Sequence, residues 1–221
     1  MSNNDFLPEP LPLDPLPRFA DWLEDARQKA TQPNPDAMVL ATADAAGAPS
    51  ARVVLCKQLS ADGYIVFFTN YESRKGQELA ARPRAAAVFH WDALHRQVRI
   101  TGPVLRSPAA ESDRYFATRA LNSRIGAWAS AQSRPLASRA TLAEQVKDTA
   151  ERFGIAADAI TGEVPRPPHW GGHRLWIETI ELWVEGPGRV HDRAVWSRSL
   201  SVGDDAYSFK AGAWHATRLN P

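Results

Sequence analysis

Ser50-Ala51-Arg52-Val53-Val54-Leu55-Cys56-Lys57-Gln58-Leu59-Ser60-Ala61-Asp62-Gly63-Tyr64-Ile65-Val66-Phe67-Phe68-Thr69 reads as a β-hairpin. Residues 50–59 carry β-branched side chains, Ser60-Ala61-Asp62-Gly63 is turn chemistry, and residues 64–69 are a further, largely apolar strand. Upstream, residues 38–43 form a short apolar strand and residues 44–47 a turn. Downstream, Ser73 caps a short helix that stops before Pro83, and strands follow near residues 85–91 and 97–105. Asp14-Pro15 opens the first helix, where Leu16, Phe19, Leu23, Ala26 and Ala30 make an apolar stripe. Residues 1–13 are Pro-rich and polar, which predicts a flexible arm before a single domain over 14–221. Ser107-Pro108 begins a helical middle, and residues 139–153 form a further amphipathic helix. Residues 164–168 are a stiff connector closed by Gly171-Gly172. Strands return at 174–179, 180–184, 190–196 and near 214–219. The chain is therefore expected to be α+β and mainly β, a closed antiparallel barrel with packed helices. Alternating βαβ units are missing, which argues against a Rossmann sheet.

Composition narrows the classes further. With 44% hydrophobic residues, eight Trp and eight Phe among 221 residues, the chain can bury a core and is not a disordered protein. Cys56 is the only cysteine, so a disulfide scaffold is excluded. No apolar run approaches the roughly 18 residues of a membrane span. The N-terminus lacks a basic-then-apolar leader pattern, and the expected location is a reducing cytoplasm. The net charge of +1 conceals a clustering: residues 1–40 hold seven acids and three bases, residues 52–139 fourteen bases and six acids. A basic middle asks for an anionic partner, either nucleic acid or a phosphorylated small molecule.

Motifs for nucleotide P-loops, dinucleotide folds, zinc proteases and paired cysteines are absent. The histidines, His90, His95, His169, His173, His191 and His215, are scattered, and no metal is expected. Cys56 lies mid-strand and reads as a buried, inert thiol. The informative residues are basic groups on or beside strands. Arg52 and Lys57 are five apart, so on a regular strand they face opposite sides and can meet two anions, unless one is solvated. Ser73-Arg74-Lys75 brings a hydroxyl and two cations to a helix start, which suits a phosphate or, more plainly, a cap with solvated charges. Gln97 sits between Arg96 and Arg99 and can read a heterocycle edge or lie on a strand surface. Tyr115, Arg119 and Ser123 repeat every four residues, one face of a helix. Arg189, His191 and Arg193 alternate, one face of a strand, where they need an anion or a π-system against them.

These residues fall into an ordered series. It runs through Arg52 and Lys57, Phe67-Phe68-Thr69-Asn70, Ser73-Arg74-Lys75, Arg96-Gln97-Val98, Ile125-Gly126-Ala127-Trp128 and Gln132-Ser133-Arg134. It continues through Trp170-Gly171-Gly172-His173-Arg174, Glu181-Leu182-Trp183, His191-Asp192-Arg193 and Arg218-Leu219-Asn220-Pro221. In that order they resemble the pyridoxamine/pyridoxine 5′-phosphate oxidase family, from about Leu16 to the C-terminus. The resemblance implies an FMN-binding split barrel working as a homodimer with FMN at the subunit interface. It implies that Arg52, Arg74 and Lys75 hold the FMN phosphate, with Gln132 and Ser133 reaching in from the partner. Val53, Val54, Leu55 and Cys56, with Lys57 after them, Phe68 and Thr69 would line the flavin. Gln97 would meet the ring edge, and Trp183 and Arg193 would complete the pocket. Lys57, Tyr115, Arg119 and Ser123 would bind the substrate phosphate, while Arg189 and His191 would act over the substrate ring.

The implied reaction is hydride transfer from the 4′ carbon of a phosphorylated B6 vitamer to flavin N5. O2 would reoxidise the flavin to give H2O2, and no strong general base is needed. Two anionic phosphates in one cleft call for two cation sets. Three departures stand out: residues 1–13 lack Arg and Tyr, Phe68 stands where Tyr is frequent, and residues 199–212 are an insertion without a role. Other readings are a split-barrel flavin oxidase on a non-vitamer substrate such as a phenazine precursor, a non-catalytic flavin or vitamer binder, and a nucleic-acid binder. Even global charge and the lack of a binding motif argue against the last.

Overall fold

Asp14 starts the first helix by accepting the Leu16 backbone N–H at 2.9 Å, and α1 runs Leu16–Lys29. In this computed structural model residues 6–29 and 32–221 are described, so Ala30 of the apolar stripe lies outside them. Phe19, Trp22, Leu23 and Ala26 are buried, with Phe19 edge-on to Phe89 at 5.3 Å. Burying each large side chain contributes about 1.5–3 kcal/mol. This helix seals the inside of a sheet built from β1 (Ala37–Ala43), β2 (Pro49–Leu55), β3 (Gln58–Leu59) and β4 (Tyr64–Asn70). After α2 (Arg74–Ala81) come β5 (Arg84–Trp91) and the long β6 (Arg96–Arg106). Three helices follow, α3 (Ala109–Ala117), α4 (Leu121–Ala129) and α5 (Arg139–Arg152). The chain ends in β7 (Trp170–Trp176), β8 (Thr179–Val184), β9 (Asp192–Ser197), β10 (Leu200–Val202), β11 (Phe209–Ala211) and β12 (His215–Leu219).

Alternation in β1 and β5 sends Met38, Leu40, Ala87, Phe89 and Trp91 inward. The continuous apolar run of β4 is buried on both faces. All pairings are antiparallel, in the order β12-β9-β8-β6-β5-β1-β2, with β7, β4 and β3 branching from β6. The ladder is split, as the family resemblance implied, where local pattern by itself suggested a closed barrel. Arg96–Thr101 pairs with β8, whereas Val104–Arg106 pairs with β7. Between them Gly102 faces the Trp176 carbonyl so closely that a Cβ there would sit 1.8 Å from it.

Four local expectations are corrected. The strand over 50–59 breaks at Cys56-Lys57: Cys56 N–H donates to Asp36 O at 2.9 Å and Lys57 N–H to Val66 O at 2.8 Å, carrying the chain from one sheet to the other. Residues 6–13 do not form a free arm. Leu7 is buried, its N–H donates to Asp192 Oδ2 at 2.7 Å, and Trp196 Nε1 donates to Pro12 O at 2.8 Å. Residues 1–5 lie outside the described ones. Gly171-Gly172 sits inside β7 rather than closing a connector, because Tyr71 and Ser107 pack where side chains would stand. The insertion folds as the β10–β11 hairpin, whose Leu200 and Phe209 pack on Tyr64 and Trp176. No helix among the described residues is long and apolar enough to cross a membrane.

Candidate active site

A cleft of about 610 Å³ opens between β2, β4 and the α3–α4 pair. One wall is cationic. Lys75, on the first turn of α2, is buried, and its Nζ donates to Thr69 Oγ1 at 2.9 Å, Ser73 Oγ at 3.2 Å and Gln132 Oε1 at 3.1 Å. Burial, reinforced by the Arg52 charge, lowers its pKa to about 8. Arg52 reaches the same wall from β2, held through both Nη groups by Thr42, Ser50 and Glu78. The Glu78 carboxylate is buried, which opposes its charge. Hydrogen bonds from Thr42, Ser50, Arg74 and Arg52 outweigh that and hold its pKa at about 2.

The opposite wall is aromatic and ends in a second set of donors. Phe68 stacks on Tyr115 at 4.0 Å and 12°, and lies nearly parallel to Trp170 at 5.4 Å. Phe68 thus presents its ring faces to neighbouring aromatics. The Arg119 guanidinium lies 4.7 Å from the Trp170 ring centroid, and its Nη1 is buried without a hydrogen-bond partner. Tyr115, Arg119, Ser123 and Lys57 all line the cleft.

Two routes to this gathering differ from the sequence reading. Tyr115, Arg119 and Ser123 were expected on one helix. Instead α3 stops at Ala117, where Thr118 turns its hydroxyl onto Tyr115 O at 2.8 Å, and Ser123 belongs to α4. Arg52 and Lys57 were expected on opposite faces, yet both line one cleft, because the chain changes sheets between them. Val53, Val54, Leu55, Phe68, Thr69 and Gln132 join them there. Gln132, expected to act from the partner, meets Lys75 of its own chain.

Other expected residues lie elsewhere. Cys56 is fully buried in the main core and does not line the cleft, and burial pushes its thiol pKa up to about 12, which disfavours the reactive thiolate. Arg74 approaches Glu78 from outside, 2.9 Å away, with its side chain 62% exposed. Ser133, with φ of 71°, is exposed beside Gln132. Gln97, Trp183 and Arg193 form one cross-strand row over β6, β8 and β9, apart from the cleft. Arg193 pairs with Glu181 at 2.8 Å and keeps a buried Nε without a partner. Arg189 does not alternate with them. It ends a 3₁₀ turn with φ of 65°, and β9 begins only at Asp192. His191 precedes that strand, its ring 4.6 Å from Trp183. Asn70, Gly126, Ala127, Ser130 and Trp170 also line the cleft, without having been singled out for it. All but Ser130 stood in motifs of the ordered series, where no role was given to them.

Residues 24–152 match the family described as "Pyridoxamine 5'-phosphate oxidase", more than half of the chain. The chain belongs to the pyridoxamine 5′-phosphate oxidase family. Family relatives named pyridoxine/pyridoxamine 5′-phosphate oxidase include one from Burkholderia cenocepacia, 48% identical over 94% of this chain and 89% of that protein. Another, from Maricaulis maris, is 50% identical over 94% and 86%. Among solved structures, PhzG from Burkholderia lata, in complex with tetrahydrophenazine-1-carboxylic acid, superposes with TM-score 0.81 at 27% identity, covering 100% and 98%. A related FMN-binding protein from Nostoc punctiforme shares the fold at TM-score 0.64 and 15% identity, covering 92% and 95%. A second model of the same family covers part of the row outside the cleft. Residues 170–221 match its "Pyridoxine 5'-phosphate oxidase C-terminal dimerisation region", which supports a homodimer. Trp183, Arg189, His191 and Arg193 all belong to that region.

Proposed function

We propose that this protein oxidises pyridoxamine 5′-phosphate or pyridoxine 5′-phosphate to pyridoxal 5′-phosphate, with FMN as cofactor and O2 as acceptor. The observation that carries the reading is the second donor set. Arg119 offers a buried Nη1 without a partner beside Tyr115, Ser123 and Lys57, in a cleft that already holds Arg52 and Lys75. An unpaired buried guanidinium donor is costly unless an anion meets it. Arg52 and Lys75 fit the FMN phosphate, and Thr69, Gln132 and the Val53–Leu55 backbone fit its remaining polar edge. When bound, FMN supplies the redox chemistry, accepting the hydrogen and electron pair from the substrate's 4′ carbon and passing the electrons to O2 as H2O2. The alcohol then gives the aldehyde directly, and the amine gives it after water releases ammonia.

The protein's own contribution is placement. Arg119, Lys57, Tyr115 and Ser123 anchor the substrate phosphate, and the Phe68–Tyr115–Trp170 wall excludes water from the ring. Gln97, Trp183, Arg193 and Ser133 contribute across the dimer interface in this reading, and Arg189 and His191 cover the substrate ring from the partner. Arg74 stands outside the cleft, paired with Glu78. The reaction belongs to vitamin B6 synthesis or salvage, in the cytoplasm. Incubation with FMN, O2 and each phosphorylated vitamer should yield aldehyde and H2O2, and the unphosphorylated vitamers far less. No aldehyde from either phosphate ester would overturn the proposal. The likeness to PhzG favours one second reading, a reduced tricyclic aromatic acid as substrate, and the same assay with such an acid separates the two.

Lys75 makes FMN binding pH-dependent. Its ammonium is charged below about 8 and neutral above. The phosphate stays dianionic across that range, so attraction is full at pH 7 and declines as pH rises through about 8. Flavin-fluorescence titration of the flavin-free protein should show Kd rising above that pH. Lys75→Arg should remove the dependence, and a flat wild-type profile would reject the role.

A further inference from the structure

Glu78 is a buried carboxylate that the proposed chemistry leaves unused. It sits on α2 with 4% of its side chain exposed. Thr42 Oγ1 donates to it at 2.5 Å from β1, and Ser50 Oγ at 2.7 Å from β2. Arg52 Nη2 lies 3.2 Å away and Arg74 Nε 2.9 Å. The ring of contacts has a fixed polarity. Thr42 and Ser50 each accept from Arg52 and donate to Glu78, so both hydroxyl protons are aimed at the carboxylate. Both Nη groups of Arg52 are tied into this ring while the side chain lines the cleft. A long, flexible cation thereby becomes a fixed charge. Glu78 joins three cations, Arg52 and Lys75 on the cleft side and Arg74 on the outer side, and burial already pushes the Lys75 pKa down. One carboxylate leaves them with a net charge of two, the magnitude carried by a phosphate monoester dianion.

We infer that Glu78 is a positioning residue for the cofactor phosphate: it locks Arg52 against the cleft and matches the charge of the corner to a dianion. This rests on the FMN reading above. The amide of Glu78→Gln presents donors to hydroxyls that already donate, so the ring loses its polarity and Arg52 its anchor. The effect should be specific to the phosphate. Riboflavin has the same ring system without it.

The test is fluorescence titration of the flavin-free dimer with FMN and with riboflavin. For Glu78→Gln, FMN Kd should rise by about tenfold or more, with riboflavin Kd within about twofold of wild type. Ser50→Ala keeps the carboxylate, removes one member of the ring and should shift the FMN-to-riboflavin ratio in the same direction by a smaller factor. It decides the matter if Glu78→Gln fails to fold. Equal weakening of both ligands would assign Glu78 a purely structural role and overturn the inference. Unchanged or tighter FMN binding would overturn it too, since Glu78 would then only compete with the phosphate. Wild-type protein binding riboflavin as tightly as FMN would overturn the phosphate reading itself, and the inference with it.

Discussion

Arg119→Ala should raise KM for a phosphorylated vitamer by roughly 10- to 150-fold, the equivalent of about 1.5–3 kcal/mol for a charged hydrogen bond. The reasons lie in the surroundings of Arg119. No carboxylate pairs with it among the described residues, and its Nη1 is buried without a partner. Burial lowers its pKa, against an opposing contribution from Tyr115. Trp170, 4.7 Å away, supplies a π-face but no acceptor for the buried N–H. A bound phosphate would meet that donor directly. Because binding is lost in ground state and transition state alike, kcat should fall much less than kcat/KM does. FMN Kd should stay within about twofold, since Lys75 and Arg52 hold a separate wall. Steady-state kinetics and flavin titration on one preparation check both halves. An unchanged KM would remove Arg119 from the substrate site, and a lost flavin would mean that the two donor sets have been exchanged.

Gly102→Ala should destabilise the protein by about 3 kcal/mol or more, at the upper end of overpacking costs. A methyl group there would lie 1.8 Å from the Trp176 carbonyl oxygen and 3.0 Å from the Glu178 N–H. Both contacts are backbone, and no side-chain rotation relieves them. The site is also where β6 hands its edge from β8 to β7, with Glu178 N–H donating to Thr101 O at 3.0 Å. Relief would require separating the two branches of the sheet. For a chain of this size each kcal/mol lowers Tm by roughly 2–4 °C, so a drop of about 6–12 °C is expected. Thermal unfolding of the flavin-free protein measures it. A Tm within about 1 °C of wild type would mean that the branch point tolerates a side chain.

Much of the architecture was readable from local pattern. The turns at Asp44–Gly47 and Ser60–Gly63 rest on glycines with φ of 93° and 85°. Helix α2 begins where Ser73 accepts the Gly76 N–H. The inward face of β5 follows from alternation. Errors fell where regular geometry stops. The spacing rule for Arg52 and Lys57 assumes an unbroken strand, and the chain changes sheets at Cys56-Lys57. The rule for Tyr115, Arg119 and Ser123 assumes one helix, and Thr118 ends it. The rule for Arg189 assumes an extended backbone, and its φ is 65°. Helix spacing offered Glu78 only Arg74, four residues before it; its other partners Thr42, Ser50 and Arg52 are some 26 to 36 positions away and left no trace in the sequence.

Local order along the chain, the strand and helix series, the caps and turns, and the residue types carried by each motif were determined by the sequence itself. These depend on neighbours a few residues apart, whose geometry the backbone limits tightly. Tertiary structure alone decided which cations share a cleft and which stand apart from it. It set Arg52, Lys75 and Gln132 on one wall and Arg119 on the other, and left Trp183 and Arg193 on a separate row. The reason is the branching of the sheet at β6. Long-range pairing and packing, rather than spacing, determine where each strand delivers its side chains.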